Sequence, residues 1–471
     1  MPEQLAARLP TPLEASGHTR ISYSPEIDAW LAMLVAAASG AQLAVCGHSL
    51  RGQPLSVLHC GVGAEGAAAI RPKVLLVGSQ HGGSEAAGCE ALLVLARRLL
   101  LGDLAPLRHH LDILILANAN PDGRDADSNR NANGVNLNRD HVLLSQPETR
   151  ALTSLLRAER PAVVLDAHES AALKRRTLWR EGWLTEFEAQ FDVATHPAIP
   201  RPRRVFGEAR LLAPWCAQVS AGGLAADRYI REILSTSQAL THGGVTIRGL
   251  RNKAGVLGSL SFLLETRLDP KDGNYRSYRN IAVRVAKQLT CMEAFLGLLR
   301  DQAATIASLA RLPRAPVAGQ PLALGADYAP VAHAPVAHIP LRRAADGERV
   351  LVPFADHRRL VPRAPVRLPP AYLVTRHAEV VASVLARHGL AFETLAASTL
   401  TISAAVAPTA QADLPATLRV DAGTLRVPTA QTDGLLVPLL LEAHSHCNLF
   451  AHSEYAPLVR GNAAPFIYRS A

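Results

Sequence analysis

Along the first two thirds of the chain, short apolar runs alternate with longer segments of helical period. The runs at 54–60, 73–77, 111–116, 162–165 and 259–265 are four to seven residues long and predict strands. Helical spacing of apolar positions predicts helices over 25–38, about 85–101, 148–158 and 225–240, and over much of 275–312. Ser24 ahead of Pro25 reads as an N-terminal cap followed by a first-turn proline. Strands and helices in alternation imply an α/β fold: a mixed, largely parallel sheet flanked by helices. In such sheets ligands bind beyond the carboxyl ends of the strands.

The pattern changes after residue 312. Residues 313–370 are rich in Pro, Ala and Arg and include the short repeat APVAHAPVAH, which predicts a proline-stiffened connector with a few short strands. A smaller α+β unit is expected over 371–471, opening with strand, helix and a Gly389 stop in YLVTRHAEVVASVLARHGL. A chain of 471 residues exceeds the size of a single core, in keeping with this division into 1–312, 313–370 and 371–471.

Polar interruptions at the strand ends carry the chemistry. The run PKVLLVGS leads into GSQHGGSEAAG, which places His81 and Glu85 at a Gly-rich turn before a helix. Residues four apart on a helical turn face the same way. An imidazole and a carboxylate so placed can share a cation, and a third protein ligand still leaves a position for water. Two further strands end in polar groups: DAHES delivers His168 and SLSFLLE delivers Glu265. A fourth runs into the long Asn- and Gly-rich loop ANANPDGRDADSNRNANGVNLNRDHV, in a chain otherwise dominated by Ala and Leu, and a loop of that length in a compact domain marks function.

Charge and cysteine content narrow the classes. The formal net charge is +9, but only five of the 49 basic residues are Lys, and the clusters KRR (174–176) and RPRR (201–204) are too short for a nucleic-acid stripe. No nucleic-acid partner is therefore expected. The six cysteines are scattered without a Cys-x-x-Cys pair, which suits a reducing compartment. The first residues lack a basic start followed by an apolar core, and no segment reaches the roughly 20 apolar residues that span a bilayer. A cytoplasmic chain with no membrane partner is the expectation, and a trimmed mature secreted chain is the alternative. Neither of these features gives an oligomeric state.

The motifs QHGGSE, NPDG, RNANGVNLNRD with PET behind it, DAHES and SFLLETR occur in that order between about residues 49 and 267. Together they resemble the zinc carboxypeptidases of the carboxypeptidase A type, especially bacterial relatives. The most specific part of the resemblance lies between Asn118 and Arg139, and the ending VPTAQTDGLLVPLLLEAHS…PFIYR resembles a C-terminal extension of some bacterial members. The resemblance implies one zinc per chain held by His81, Glu85 and His168, with Glu265 as general base and Arg130 stabilising the developing oxyanion. Asn138 and Arg139 would grip the terminal carboxylate of a peptide or acylated amino-acid substrate.

Three positions depart from the family pattern. The usual spacing is His-x-x-Glu, whereas here it is His81-x-x-x-Glu85, with Ser84 in the expected slot; Glu85 is taken as the ligand because i to i+4 is still one face. Asn136 stands where an Asp usually bonds the first histidine. No tyrosine matches the one that caps substrate before the general base; Lys253 sits there, so either it substitutes or the cap is lost. The implied activity is a zinc-dependent metallocarboxypeptidase. The alternatives are an amidase or deacylase of the same fold acting on N-acyl amino acids or cell-wall peptides, and a non-catalytic zinc-binding module. Several neighbouring residues are assigned blander roles. Asp166 and Glu169 read as scaffold or outer support, Arg124 as a loop ion pair, Cys89 as packing, and His444, His446 and His452 as surface histidines along a strand.

Overall fold

A computed structural model describes residues 9–62, 71–171, 178–268, 280–406, 417–459 and 465–471. The basic cluster 174–176 and the start of the last predicted helix, 275–279, lie outside the described residues.

The strands of the first unit are β1 (Ala41–His48), β2 (Pro54–Cys60), β3 (Lys73–Val77), β4 (Asp112–Leu116), β5 (Val163–Ala171), β6 (Trp183–Thr185), β7 (Ala189–Val193), β8 (Ala226–Arg228) and β9 (Leu260–Leu268). All but β6 form one eight-stranded sheet in the order β1-β2-β4-β3-β5-β9-β7-β8. The centre, β4-β3-β5-β9, is parallel. β2 joins it antiparallel on one side and β7 on the other, so the sheet is mixed and largely parallel, as expected.

Alternation along the central strands sorts side chains to two faces. Val74, Leu76, Ile113, Ile115, Val163 and Leu165 bury against the helices α1 (Ser24–Ala37), α2 (Ala87–Leu101) and others on one side. Leu75, Val77, Leu114, Leu116 and Val164 bury on the other, against α3 (Pro147–Glu159). Two further helices on the first face are α4 (Ala213–Ala221) and, later in the chain, the 21-residue Ile281–Asp301, and between them α5 (Leu250–Val256) packs on the second face. The connection from β4 to β5 crosses to the far side of β3. That reversal opens a crevice at the carboxyl ends of β3 and β5.

Two local readings need correction. Residues 225–240 form no helix: after β8 the segment runs extended and turned, with Tyr229 N donating to Phe191 O and Arg231 N to Thr241 O. Its helix-like apolar positions, Ile230 and Ile233, instead fill a separate small core with Leu178, Phe187 and Leu341. Tertiary burial here overrides local period. At the start of α1, Ser24 is the first helical residue, and its hydroxyl donates to Asp125 Oδ1 at 2.8 Å rather than capping. The cap is supplied from the other direction, by Glu26 accepting from Tyr23 N at 2.9 Å.

Residues 313–370 hold four strands, β10 (Pro321–Ala329), β11 (Val336–Arg343), β12 (Arg349–Ala355) and β13 (Arg359–Arg367). β10 pairs with β13, while β11 and β12 form a hairpin to which β6 adds as a third strand. The last unit is a six-stranded sheet built from β14 (Ala371–Val374), β15 (Glu393–Thr394), β16 (Ser398–Ala405), β17 (Thr417–Val420), β18 (Leu425–Pro428) and β19 (Ile467–Ser470). Its helix Ala378–Arg387 ends before Gly389, whose φ of +64° suits glycine. Leu436, Leu439 and Leu440 of this unit share one buried cluster with Leu75, Leu152 and Leu250 of the first, so the second face of the main sheet is covered by the C-terminal unit.

Candidate active site

β3 ends at Val77, and the chain turns sharply through Gly78–Gly82 into a short 3-10 turn, Gly82–Glu85. Gly82 has a φ of +52°, and a Cβ there would lie 2.3 Å from Ser128 O. Only glycine fits so close to the neighbouring backbone at that angle. The turn aims His81 and Glu85 at the end of β5, where His168 arrives.

The three residues meet. His81 Nδ1 lies 2.7 Å from Glu85 Oε1, His168 Nδ1 lies 2.7 Å from Glu85 Oε2, and the two rings are 4.7 Å apart. Among the described residues this is the one cluster of His, Cys, Asp or Glu whose ligand atoms all fall within 4.8 Å of one another. Burial works against ionising Glu85, yet the two imidazoles hold its carboxyl well below the usual range. For His168 burial opposes the charge, while the carboxylates of Asp166 and Glu85 raise the ring well above an ordinary histidine. Ser84, in the slot where a ligand is usual, turns away; its hydroxyl lies 3.5 Å from Asp127 O.

The outer nitrogens are held too, by longer contacts. His81 Nε2 lies 3.1 Å from Asn136 Oδ1, the neutral acceptor at the position where an Asp is usual. His168 Nε2 lies 3.0 Å from Asp166 Oδ2 and 2.9 Å from Asn138 Nδ2, so a proton on Nε2 goes to the carboxylate. Asp166 also accepts from Gln80 Nε2 at 2.6 Å, and Gln80 Oε1 accepts from His141 Nε2 at 2.9 Å. Burial pushes His141 down to about 4, so its ring is neutral at pH 7 and the proton it keeps sits on Nε2, facing Gln80. With both Nε2 atoms so anchored, both Nδ1 lone pairs can be offered to a cation beside Glu85. Two imidazole nitrogens and a carboxylate turned toward one another are a donor set that fits zinc.

Glu265 pairs in register with His168, and Gln190 pairs with Glu265, so the three rise from one face of neighbouring strands. Glu265 lines a cleft with Ser170, Thr185, Gln190 and Tyr229. Burial, with Glu265 close by, pushes the Tyr229 phenol up, and Arg139 opposes the shift. Tyr229 escaped the sequence reading because it fell inside the misassigned helix.

The other predicted residues are placed as follows. Arg130 is exposed, and its Nη1 donates to Gly134 O at 2.7 Å. Arg139 is exposed, with Nη1 donating to Asn138 O at 2.7 Å. Asn138 is buried, and both ends of its amide face protein: Oδ1 accepts from Leu250 N at 2.8 Å while Nδ2 faces His168. Lys253 is a correction. Its side chain is fully buried on α5, 2.6 Å from His388 Nδ1 in the C-terminal unit, so it does not reach a substrate. The apolar neighbourhood of α5 draws the butyl stem inward, and burial lowers the amine to about 7.

The neighbours resolve as well. Glu169 forms a buried ion pair with Arg284 and accepts from Ala87 N at the start of α2. Arg124 pairs with Glu90, both side chains fully buried, and Cys89 is fully buried packing. Residues 444–452 form turns rather than a strand, with His444 exposed and Cys447 buried.

The family model for zinc carboxypeptidases matches residues 27–174, which bears out over that stretch the resemblance read from the motifs. Carboxypeptidase 2 of Trichophyton rubrum is 31% identical over 204 residues, covering 41% of this chain and 37% of that protein. The Trichophyton equinum carboxypeptidase 2 gives 31% over 204 residues with the same coverage, 41% and 37%. The chain thus spans well under half the length of these curated relatives. A metallo-carboxypeptidase structure from Burkholderia cenocepacia aligns with a TM-score of 0.45 at 20% identity, over 59% of this chain and 69% of that one. The carboxypeptidase A of Helicoverpa armigera aligns with a TM-score of 0.47 at 15% identity, over 64% and 81%.

Proposed function

We propose that this chain is a zinc-dependent metallocarboxypeptidase that hydrolyses the C-terminal bond of peptides. The observation that carries the reading is the pair of imidazoles turned Nδ1-inward on Glu85, each fixed from behind by Asn136 or Asp166. Together with the family match over 27–174, that arrangement supports His81, Glu85 and His168 as the holders of one zinc.

Bound there, zinc would supply Lewis-acid polarisation of the scissile carbonyl and a water of lowered pKa. The remaining work falls to the chain. Glu265, on the same face as His168, takes a proton from the attacking water and returns it to the leaving amine. Asn136 and Asp166 hold the outer imidazole protons, so the rings neither rotate nor compete for the substrate. Arg139, exposed beside the cluster's loop, is the fork available to a terminal carboxylate, and Arg130 is the cation available to the developing oxyanion. The single chain carries one such cluster among the described residues, which supports one zinc per chain.

The test is a peptide series with free and amidated C-termini, assayed with zinc and after chelation. Zinc-dependent release of the last residue from the free acid alone is expected. Equal cleavage of the amide, or preferential release of an acyl group from N-acyl amino acids, would move the assignment to an amidase or deacylase. Activity that survives full removal of metal would end the zinc reading.

A further inference from the structure

The C-terminal unit packs against the wall of the candidate site, and its most buried polar contact there is made by one residue. His388 follows the helix Ala378–Arg387 and is fully buried against the first unit. Its Nδ1 lies 2.6 Å from Lys253 Nζ on α5, and its Nε2 lies 2.8 Å from Val142 O in the loop that carries Asn138 and Arg139. A neutral ring satisfies both contacts, accepting from the Lys253 amine at Nδ1 and donating from Nε2.

The two elements His388 touches are the two that Asn138 staples together. Asn138 Oδ1 accepts from Leu250 N, the first amide of α5, and Asn138 Nδ2 faces His168. The loop is therefore tied to α5 directly at its near end and through His388 at its far end. Neighbouring contacts run the same way: Arg387 Nη1 donates to Leu143 O at 3.2 Å, and Arg157 Nη2 donates to Gly389 O at 2.8 Å. Buried polar contacts of this kind rigidify what they join when every member is satisfied.

We infer that His388 is a positioning residue. Through Val142 O and Lys253 it fixes the loop bearing Asn138 and Arg139 against α5, and bracing this wall is a role of the C-terminal unit. The inference rests on the reading of Arg139 as the contact for a substrate carboxylate. The zinc cluster is held by Asn136, at the near end of this loop, and by Asp166 on β5, and His388 touches neither. Because the metal is tied at the near end of the loop and His388 acts at its far end, loss of His388 should weaken substrate binding much more than metal binding.

The experiment compares the full chain with His388→Ala, His388→Gln and Lys253→Met. In His388→Ala, KM for a peptide with a free C-terminus should rise about tenfold, with kcat and zinc affinity each within about threefold. His388→Gln, which can still donate to Val142 O, should recover a large part of that loss, and Lys253→Met should reproduce it should the alanine variant fail to fold. An unchanged KM in folded variants, or a parallel fall of kcat and zinc affinity, overturns the brace. Amide exchange separates this inference from the activity assignment. If the wild type cleaves no peptide, faster exchange in 137–144 of the variants with β5 unchanged still upholds the brace, and unchanged exchange in that loop overturns it.

Discussion

His168 and Glu265 are register partners on the adjacent parallel strands β5 and β9. An imidazole of the candidate metal cluster and the carboxylate proposed for proton transfer therefore rise side by side from one face. Replacing Glu265 by Gln keeps the shape and removes the base. Turnover should fall by about 10²–10⁴-fold while zinc content, measured by elemental analysis, stays at the wild-type level. Full activity in Glu265→Gln would remove this residue from the reaction.

The one-residue shift between His81 and its acidic partner makes a clean pair of variants. Ser84 turns to Asp127 and Glu85 spans both rings. Ser84→Ala should bind zinc as the parent does. Glu85→Ala should lose roughly 100-fold or more in affinity by chelator competition, because outer partners alone are worth about 10–100-fold. A zinc site that follows Ser84 instead would reverse the ligand assignment.

Arg124 and Glu90 form an ion pair with both side chains fully buried. Ser22 donates to Glu90 through both its amide and its hydroxyl at 2.8 Å, and Arg124 Nε donates to Ser22 O at 2.7 Å. Arg124→Met strands the carboxylate and should cost about 3–5 kcal/mol in urea unfolding. Adding Glu90→Leu should restore much of it. A single variant as stable as the parent would show that the pair is not needed by the fold.

Acid should destabilise the chain for a specific reason. Burial pushes His196 and His242 down to about 3 each. Unfolded, both titrate near 6.5, so between about pH 3 and pH 6.5 the unfolded chain binds more protons and stability rises with pH. From pH 7.5 to pH 5 each histidine should remove on the order of 2 kcal/mol. Urea midpoints across that range, with His242→Asn as the variant of reduced slope, give the measurement; a flat profile would contradict it.

The central sheet and the meeting of His81, Glu85 and His168 were legible because their signals are local. A strand ending at Val77, a Gly-rich turn and a helix put His81 and Glu85 together within a dozen residues. His168 and Glu265 each end an apolar run, and parallel strands bring such ends to one edge. What could not be read depended on distant partners. β1 is a half-exposed edge strand without strong alternation, and β7 is recognisable only through its pairing with β9. Residues 225–240 have the spacing of a helix, but Ile230 and Ile233 are claimed by a core that forms with residues far downstream. Lys253 illustrates the same limit: nothing near it in sequence announces His388.

β6 is three residues long and has its hydrogen-bonding partner, β11, in a hairpin that comes far later in the chain. Thr185 of this strand lines the cleft beside Glu265. As the polypeptide leaves the ribosome, the proposed zinc ligands and base are all present well before this edge can be zipped shut. If the site acts as proposed, its competence waits on a hairpin that lies downstream of every one of these groups, since a nascent chain stopped short of it would carry them in an unfinished cleft.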